Sequence, residues 1–256
     1  MPTQPRLFTL LFLLPCLCTC ASAEPTRLDY TLVNTYEHNT EFFTQGLLFY
    51  QGRLYESTGQ YGESQLIRYA DDFSAPRIRR SLEPRYFGEG IAVHKGELYL
   101  LTWQSETGFV YDPVAFAPLG SFSYQGQGWG LTGDGEHLWM SNGSATLNQI
   151  DTNGTILNSV LVTIDGQPLD RLNELEYING LIFANRWYDN AVYLIDHTNG
   201  EVTAQLDLSE LAIPQLSGQP NNVLNGIAWN PERQTLWITG KNWSEIYELE
   251  IEFPSL

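Results

Sequence analysis

The chain contains little cysteine. Its three cysteines, Cys16, Cys18 and Cys20, all lie near the N-terminus, and none follows them. The long remainder can therefore form neither a disulfide framework nor a cysteine-ligated metal site. Its stability must come from a hydrophobic core, and a domain of about 230 residues is large enough to bury one.

Residues that can carry positive charge are also scarce. The chain has 13 lysines and arginines against 30 aspartates and glutamates, which gives a formal net charge of −17. Proteins that bind nucleic acid or anionic membrane surfaces have the opposite balance, so we expect no nucleic acid partner. The four histidines, His38, His94, His137 and His197, lack the spacing of metal ligands, and we expect them at surface turns.

The N-terminus has the three parts of an export signal. Arg6 supplies a positive start, residues 7–17 are apolar, and Ala21-Ser22-Ala23 is a small-x-small cleavage site. The apolar run is too short for a permanent membrane helix. We predict a signal peptide at residues 1–23 and one exported domain, periplasmic or secreted, at residues 24–256. After cleavage we expect no stable membrane insertion. A lipoprotein signal at Leu17-Cys18-Thr19-Cys20 is the alternative.

One sequence pattern occurs five times. Each copy begins with a polar or aromatic residue, usually followed by Gly, and continues as a short apolar strand, a turn and a second strand. The copies start at Gln45-Gly46-Leu47, Glu89-Gly90-Ile91, Trp129-Gly130-Leu131, Asn173-Glu174-Leu175 and Asn225-Gly226-Ile227. Four of the turns are dipeptides such as Asn179-Gly180, which tolerate positive φ. Repeats of about 40 to 50 residues with several short strands are typical of propeller blades.

Further strands complete each copy. A third strand follows every hairpin, and a fourth, such as residues 78–82, follows four of the five. The last copy lacks its fourth strand, and residues 28–36 have the strand character to replace it. We therefore predict an all-β fold, a five-bladed β-propeller in which the N-terminal strand supplies the outer strand of the last blade. A single β-sandwich is the structural alternative, and no amphipathic helix of useful length is predicted.

Two positions of each copy are expected to meet at one mouth of the central channel. The first strand of a blade lines the channel, and the residue at its start lies beside the residue that follows the second strand. The first position holds Gln45, Glu89, Trp129, Asn173 and Asn225. The second position holds Gly59, Trp103, Gly143, Trp187 and Lys241. A few convergent polar groups on an apolar lining are the usual form of a binding site.

The residue types at this mouth suit an amide substrate. Carboxamides can hydrogen-bond an amide, and indoles provide a partly dry wall. Glu89 is the one member of the set that can move a proton near neutral pH. Packing alone is the competing interpretation for any single position, because Asn and Gln often cap strand starts and Trp often fills propellers.

Eight short segments around these positions form an ordered set of motifs. They are Phe43-Thr44-Gln45-Gly46-Leu47, Glu56-Ser57-Thr58-Gly59 with Tyr61-Gly62, Phe87-Gly88-Glu89-Gly90-Ile91, Leu101-Thr102-Trp103, Gly128-Trp129-Gly130-Leu131-Thr132, Leu172-Asn173-Glu174-Leu175-Glu176, Leu224-Asn225-Gly226-Ile227-Ala228 and Thr239-Gly240-Lys241. The set resembles the plant- and bacterial-type glutaminyl cyclases. The resemblance covers roughly residues 30–249, with no departure at the positions expected around the mouth.

The resemblance implies a five-bladed propeller, in agreement with the repeats. It also implies an enzyme that converts the N-terminal glutamine of peptides or proteins to pyroglutamate and releases ammonia. No cofactor, and in particular no catalytic zinc, is implied. The resemblance assigns the acid/base role to Glu89. For the oligomeric state, we expect a monomer. The predicted substrate-binding residues are Gln45, Trp103, Trp129, Asn173, Trp187 and Lys241, together with Asn225 from the repeat positions.

Two other functions remain open from the residues alone. Glu89, Asn173 and Asn225 imitate the ligands of a metal-dependent, lactonase-like propeller hydrolase, although Lys241 would oppose a cation there. A non-catalytic propeller that grips peptide ends or sugars with its indoles is the second alternative. Activity that disappears with a chelator would favour the first, and tight binding without turnover would favour the second.

Overall fold

Five antiparallel sheets form the blades of a propeller. This computed structural model describes residues 24–216 and 218–253, so the predicted signal peptide lies outside the described residues. Two strands precede the blades, β1 (Thr26–Leu28) and β2 (Tyr30–Glu37). Blade I contains β3 (Thr44–Tyr50), β4 (Arg53–Thr58), β5 (Gln65–Tyr69) and β6 (Pro76–Ser81). Blade II contains β7 (Gly88–His94), β8 (Glu97–Thr102), β9 (Thr107–Tyr111) and β10 (Pro118–Ser123).

The remaining three blades follow in chain order. Blade III contains β11 (Leu131–Gly133), β12 (Leu138–Met140), β13 (Thr146–Ile150) and β14 (Ile156–Leu161), followed by the short hairpin β15 (Thr163–Ile164) and β16 (Gln167–Pro168). Blade IV contains β17 (Leu172–Ile178), β18 (Leu181–Arg186), β19 (Ala191–Ile195) and β20 (Val202–Asp207). After helix α1 (Ser209–Gln215), blade V contains β21 (Leu224–Asn230), β22 (Thr235–Gly240) and β23 (Glu245–Ile251). The predicted five-bladed, all-β architecture is confirmed.

The N-terminal strand closes the ring as predicted. Strand β2 pairs antiparallel with β23 and is the outer strand of blade V. The ring of Tyr36 on β2 stacks on Trp237 of β22, with 4.5 Å between the ring centroids. Because β2, which leads into blade I, shares a sheet with β23, the last strand, blades I and V cannot separate without breaking this pairing.

Three elements were not predicted from the sequence. Strand β1 lies parallel to β20 and adds a fifth strand to blade IV. The short hairpin of β15 and β16 and helix α1 lie in the connections beside blade IV. These elements span two to seven residues, which is too short for a reliable hydrophobic period. In the described part of the chain, no helix has the length and hydrophobicity needed to cross a membrane.

The hydrophobic core is divided among the spaces between blades. Five clusters of buried side chains occupy the five interfaces between adjacent blades. The aromatic residues of the second strands are central to them, including Tyr55, Tyr99, Trp139, Phe183 and Trp237. This packing holds each first strand beside the channel and therefore fixes where the strand starts lie.

Candidate active site

β-Bulges at four strand starts set the directions in which the predicted side chains point. The register of the first hairpin shifts in blades I, II, IV and V, at the positions of Gln45, Glu89, Asn173 and Asn225. A bulge bends the strand and turns one side chain away from the regular alternation. In blade III the strand begins after Trp129, which occupies the equivalent position.

Serine side chains from neighbouring blades hold two of these positions. Ser57 Oγ donates to the carbonyl oxygen of Glu89 at 2.6 Å, and Ser141 Oγ donates to that of Asn173 at 2.6 Å. Both serines are fully buried. The preceding blade therefore fixes the backbone of Glu89 and of Asn173 through the carbonyl oxygen. The side chains of both residues line the pocket.

A pocket of about 200 Å³ occupies this mouth. It contains seven of the predicted residues, namely Gln45, Glu89, Trp103, Trp129, Asn173, Trp187 and Lys241. The indoles form its wall on the side of blades II to IV. Trp103 Nε1 and Trp129 Nε1 both donate to Gln127 Oε1, at 2.8 and 2.9 Å, so one carboxamide fixes two of the rings.

Asn225 lies in a different place from the one expected. It is fully buried and is not part of the pocket lining. Asn225 Nδ2 donates to the carbonyl oxygen of Thr44 at 3.0 Å and contacts Gln45 Oε1 at 3.4 Å. The bulge in β21 turns this side chain behind Gln45, so Asn225 supports the pocket from outside instead of lining it.

Four further lining residues were missed from the sequence. They are Phe43, Gln60, Phe87 and Asn221. A repeat signal was available for the two phenylalanines, because each stands two residues before the start of its copy, ahead of Gln45 and Glu89 respectively. Gln60 and Asn221 lie in loops outside the repeat, so no periodic signal identifies them.

Glycine at two of the predicted positions makes room for aromatic rings. A Cβ added to Gly59 would overlap the ring of Phe87, and one added to Gly143 would lie 2.7 Å from Trp129 Cζ2. Gly143 also has a φ of +80°, which side-chain-bearing residues rarely adopt. These two positions therefore shape the pocket through the absence of a side chain.

We expect Gly59→Ala to lower kcat/KM roughly tenfold, because Phe87 must move and a displacement near 1 Å can cost up to about a hundredfold. Steady-state kinetics on a glutaminyl dipeptide, the substrate that the resemblance implies, would measure the change. Gly120→Ala is the matched control, since a Cβ there meets nothing within 4 Å. Equal kinetics for the two variants would show that the Phe87 ring has no part in positioning the substrate.

The two charged groups of the pocket are both desolvated. Glu89 is 4% exposed, and burial raises its pKa well above the ordinary value, with the positive charge of Lys241 opposing that shift. Lys241 is 5% exposed, and burial lowers its pKa to about 8 while Glu89 opposes the shift. The Lys241 ammonium also lies 4.8 Å from the ring centroid of Phe43. Burial therefore shifts the two pKa values in opposite directions, upward for Glu89 and downward for Lys241.

Asn173 has an unused acceptor in this pocket. Among the described residues, its Oδ1 is buried without a hydrogen-bond partner. A buried polar atom of this kind costs free energy unless a ligand or water satisfies it. The position of Asn173 in the pocket lining makes a bound substrate the natural partner.

The fourth copy departs from the polar-Gly pattern, and the departure has a structural consequence. Glu174 stands at the position that glycine occupies in the other four copies, namely Gly46, Gly90, Gly130 and Gly226. Its buried carboxylate accepts hydrogen bonds from the backbone nitrogens of Leu47 at 3.2 Å and Ile227 at 2.9 Å. Glu174 thus connects blade IV to blades I and V across the channel, which is a structural role.

Two histidines were wrongly expected at the surface. His38 and His94 are buried, whereas His137 and His197 lie at turns as expected. His38 Nδ1 lies 2.8 Å from the carbonyl oxygen of Trp243, and Nε2 lies 3.2 Å from Glu56 Oε1. Burial lowers the pKa of His38, but the charge and hydrogen bond of Glu56 and the Trp243 carbonyl outweigh it, so the net shift is upward.

No group of three or more His, Cys, Asp or Glu side chains suited to holding a metal ion occurs in residues 24–216 and 218–253. The lining of the candidate site combines one carboxylate, one amine, three indoles, two phenyl rings and four carboxamides. Such a set can bind an amide, exclude part of the water and transfer a proton.

Known proteins are similar to this chain in sequence and in fold. The family model described as glutamine cyclotransferase matches residues 8–251. A glutaminyl-peptide cyclotransferase of Arabidopsis thaliana is 35% identical over 233 aligned residues, and the match covers 89% of this chain and 72% of the relative. The crystal structure of Myxococcus xanthus glutaminyl cyclase matches with a TM-score of 0.83 at 33% identity, covering 91% of this chain and 100% of that chain. The chain therefore belongs to the glutamine cyclotransferase family.

Proposed function

We propose that this enzyme is a glutaminyl-peptide cyclotransferase, which converts the N-terminal glutamine of peptides and proteins to pyroglutamate and releases ammonia. Membership of the family supports the reaction class. The observation that carries the proposal is the buried carboxylate of Glu89 in a pocket that also presents carboxamides and indoles.

Glu89 acts as the general acid/base in this proposal. The α-amine nitrogen of the substrate attacks its own γ-carbonyl carbon, and a new C–N bond closes the ring. Glu89 accepts a proton from that nitrogen and returns it to the departing amide nitrogen, which then leaves as ammonia. One carboxylate serves both steps, and the upward shift of its pKa strengthens it as a base and keeps its acid form available at a higher pH.

Gln45 and Asn173 hold the substrate carboxamide. Asn225 Nδ2 donates to the Thr44 carbonyl, which only accepts, and this fixes the orientation of the Asn225 amide. The same Nδ2 faces Gln45 Oε1, so the NH2 group of Gln45 remains free to stabilise the developing oxyanion. The free Oδ1 of Asn173 accepts a hydrogen bond from the substrate nitrogen. Trp103, Trp129 and Trp187 enclose the methylene groups and exclude water.

Lys241 offsets the charge of Glu89 without touching it. Among the described residues, no salt bridge within 4.0 Å joins Lys241 to Glu89. The Lys241 charge still lowers the pKa of Glu89, against the larger upward effect of burial. The Lys241 ammonium instead lies over the Phe43 ring. This arrangement supports a long-range electrostatic role over the alternative in which Lys241 orients the carboxylate by direct contact.

We expect Lys241→Met to move the acidic limb of the kcat/KM profile to higher pH. Glu89 must be ionised to accept a proton, and the charge of Lys241 lowers its pKa, so removing that charge raises it. The substrate amine titrates identically in both enzymes and cancels in the comparison. Lys95→Met, at a hairpin turn, is the control. An unchanged limb with kcat reduced at every pH would indicate orientation by contact instead.

The test of the reaction is ammonia release from a glutaminyl dipeptide by the purified enzyme, with and without a chelator. We expect one ammonia per pyroglutamate formed, at the same rate in both conditions. Loss of turnover with chelator would point to the metal-dependent hydrolase. Tight binding of the dipeptide by a folded protein that releases no ammonia would point to the non-catalytic propeller.

We also propose that residues 1–23 are a signal peptide and that the enzyme is exported as a monomer. The cleavage motif Ala21-Ser22-Ala23 ends just before β1 at Thr26, so cleavage there preserves every strand of the propeller. Determining the N-terminal residue of the exported protein would test this. A mature chain that begins with a lipidated cysteine would contradict it.

A further inference from the structure

A groove on the face of blades I and V continues from the pocket. It has a volume of about 570 Å³. It shares Phe43, Gln60 and Asn221 with the pocket, so the two spaces meet along these three residues. The rest of the groove is lined by Thr40, Glu41, Glu63, Gln219, Asn222 and Asn242. It lies on the side of the mouth that the three indoles leave open.

The size of the pocket requires a separate space for the rest of a peptide. A volume of about 200 Å³ is below the usual range for a drug-sized ligand and suits a single side chain. A peptide whose N-terminal glutamine fills it must leave through the mouth. The groove is the continuation that shares its lining with the pocket, and an extended chain advances about 3.3 to 3.6 Å per residue along it.

The groove has the chemistry to bind a polypeptide backbone. Its carboxamides can donate to and accept from peptide groups. Two of them are held in place, because the Tyr188 hydroxyl donates to Asn221 Oδ1 at 3.1 Å and Asn242 Nδ2 donates to the Thr40 carbonyl at 2.9 Å. Fixed polar groups of this kind bind an extended segment with little further loss of entropy.

The groove is also negatively charged. Glu41 and Glu63 are exposed, and neither has a salt bridge with a described residue. Tight turns fix both backbones, since Phe42 N donates to the Asn39 carbonyl at 2.9 Å and Glu63 N to the Gln60 carbonyl at 3.1 Å. No basic residue is among the groove lining. Lys241 is the one basic residue among the described residues that line the neighbouring pocket, and it is buried beside Glu89.

We propose that this groove binds the two residues that follow the N-terminal glutamine and that Glu41 and Glu63 select substrates with basic side chains there. The inference rests on the proposed function and names the substrate class for the same site. Cyclisation itself is unchanged, because neither carboxylate reaches the pocket lining. We therefore expect a higher kcat/KM for peptides with basic side chains at these two positions than for peptides with acidic ones. Glutamine amide has neither residue, so its kcat/KM should not depend on the two carboxylates.

The experiment compares kcat/KM for Gln-Lys-Lys-amide, Gln-Ala-Ala-amide, Gln-Glu-Glu-amide and glutamine amide. We expect the unmodified enzyme to prefer the lysine peptide over the glutamate peptide. The double variant Glu41→Gln/Glu63→Gln should reduce that ratio roughly three- to tenfold, the range expected for a few exposed charge pairs. Its kcat/KM for glutamine amide should be unchanged, and high salt should weaken the preference of the unmodified enzyme.

Glu136→Gln is the matched control. Glu136 is exposed at the turn between β11 and β12, at the end of the blade away from the mouth. This variant removes one charge without touching the groove and should keep the full preference. No preference in the unmodified enzyme, or a preference that survives in the double variant, would overturn the inference and leave cyclisation standing. No turnover of any substrate, glutamine amide included, would overturn the proposed function and this inference with it.

Discussion

Glu89→Gln should lose nearly all ammonia release while the propeller remains folded. The substitution keeps the shape of the side chain and removes its ability to accept and return a proton. General acid–base catalysis contributes about 10² to 10⁴ in rate, and we expect a loss in that range. Positioning by Gln45, Asn173 and the indoles would sustain the remainder.

The measurement is kcat on a glutaminyl dipeptide, with thermal unfolding followed in parallel. Burial disfavours the charged form of Glu89, and the Lys241 charge offsets that cost only in part. A neutral replacement should therefore leave the unfolding midpoint equal or higher. Glu176→Gln is the matched control, because Glu176 is a blade IV carboxylate whose pKa burial raises to about 8 but which lies in a different pocket. Wild-type turnover in Glu89→Gln would reject the acid/base assignment.

Glu56→Ala should be the most destabilising single substitution of those considered for this fold. The buried carboxylate accepts hydrogen bonds from Thr44 Oγ1 at 2.7 Å and the Tyr69 hydroxyl at 2.6 Å, and it pairs with His38. Removing one partner of a buried ion pair costs about 3 to 5 kcal/mol. In a domain of this size that corresponds to a fall in Tm of roughly 6 to 20 °C.

Calorimetry or circular dichroism near neutral pH would measure this change. Glu83→Ala is the control, because Glu83 pairs with Arg85 on the surface and exposed pairs contribute about 0 to 1 kcal/mol. The His38 contribution also depends on pH. Its pKa is raised on folding, so the stabilisation is complete below the ordinary value of 6.5 and disappears as pH rises through the raised one. Equal Tm changes for the two variants would contradict a buried, charged pair.

The repeat made the fold predictable from sequence. Each copy carries its own apolar strands and turn dipeptides, and a sheet of consecutive apolar residues has two faces to bury. Stacking five copies buries those faces against each other, which is what the five clusters between blades show. The closing strand β2 was predictable for a related reason, since the last copy lacked an outer strand.

The repeat also predicted most of the site. Equivalent positions in a propeller lie at equivalent distances from the axis, so the strand starts had to meet at one mouth. Glu89, Lys241 and the three indoles meet there for that reason. The same reasoning misplaced Asn225, because symmetry sets where a Cα lies and a local bulge sets where its side chain points.

What the sequence determined by itself was therefore periodic: the number of blades, the order of the strands and the residues at the channel mouth. The tertiary structure decided what depends on a particular neighbour. The burial of His38 follows from the position of Glu56, and the desolvation of Glu89 and Lys241 follows from the rings around them. The groove beside Glu41 and Glu63 exists because loops of blades I and V meet there. Such contacts join residues far apart in the chain, and no local pattern records them.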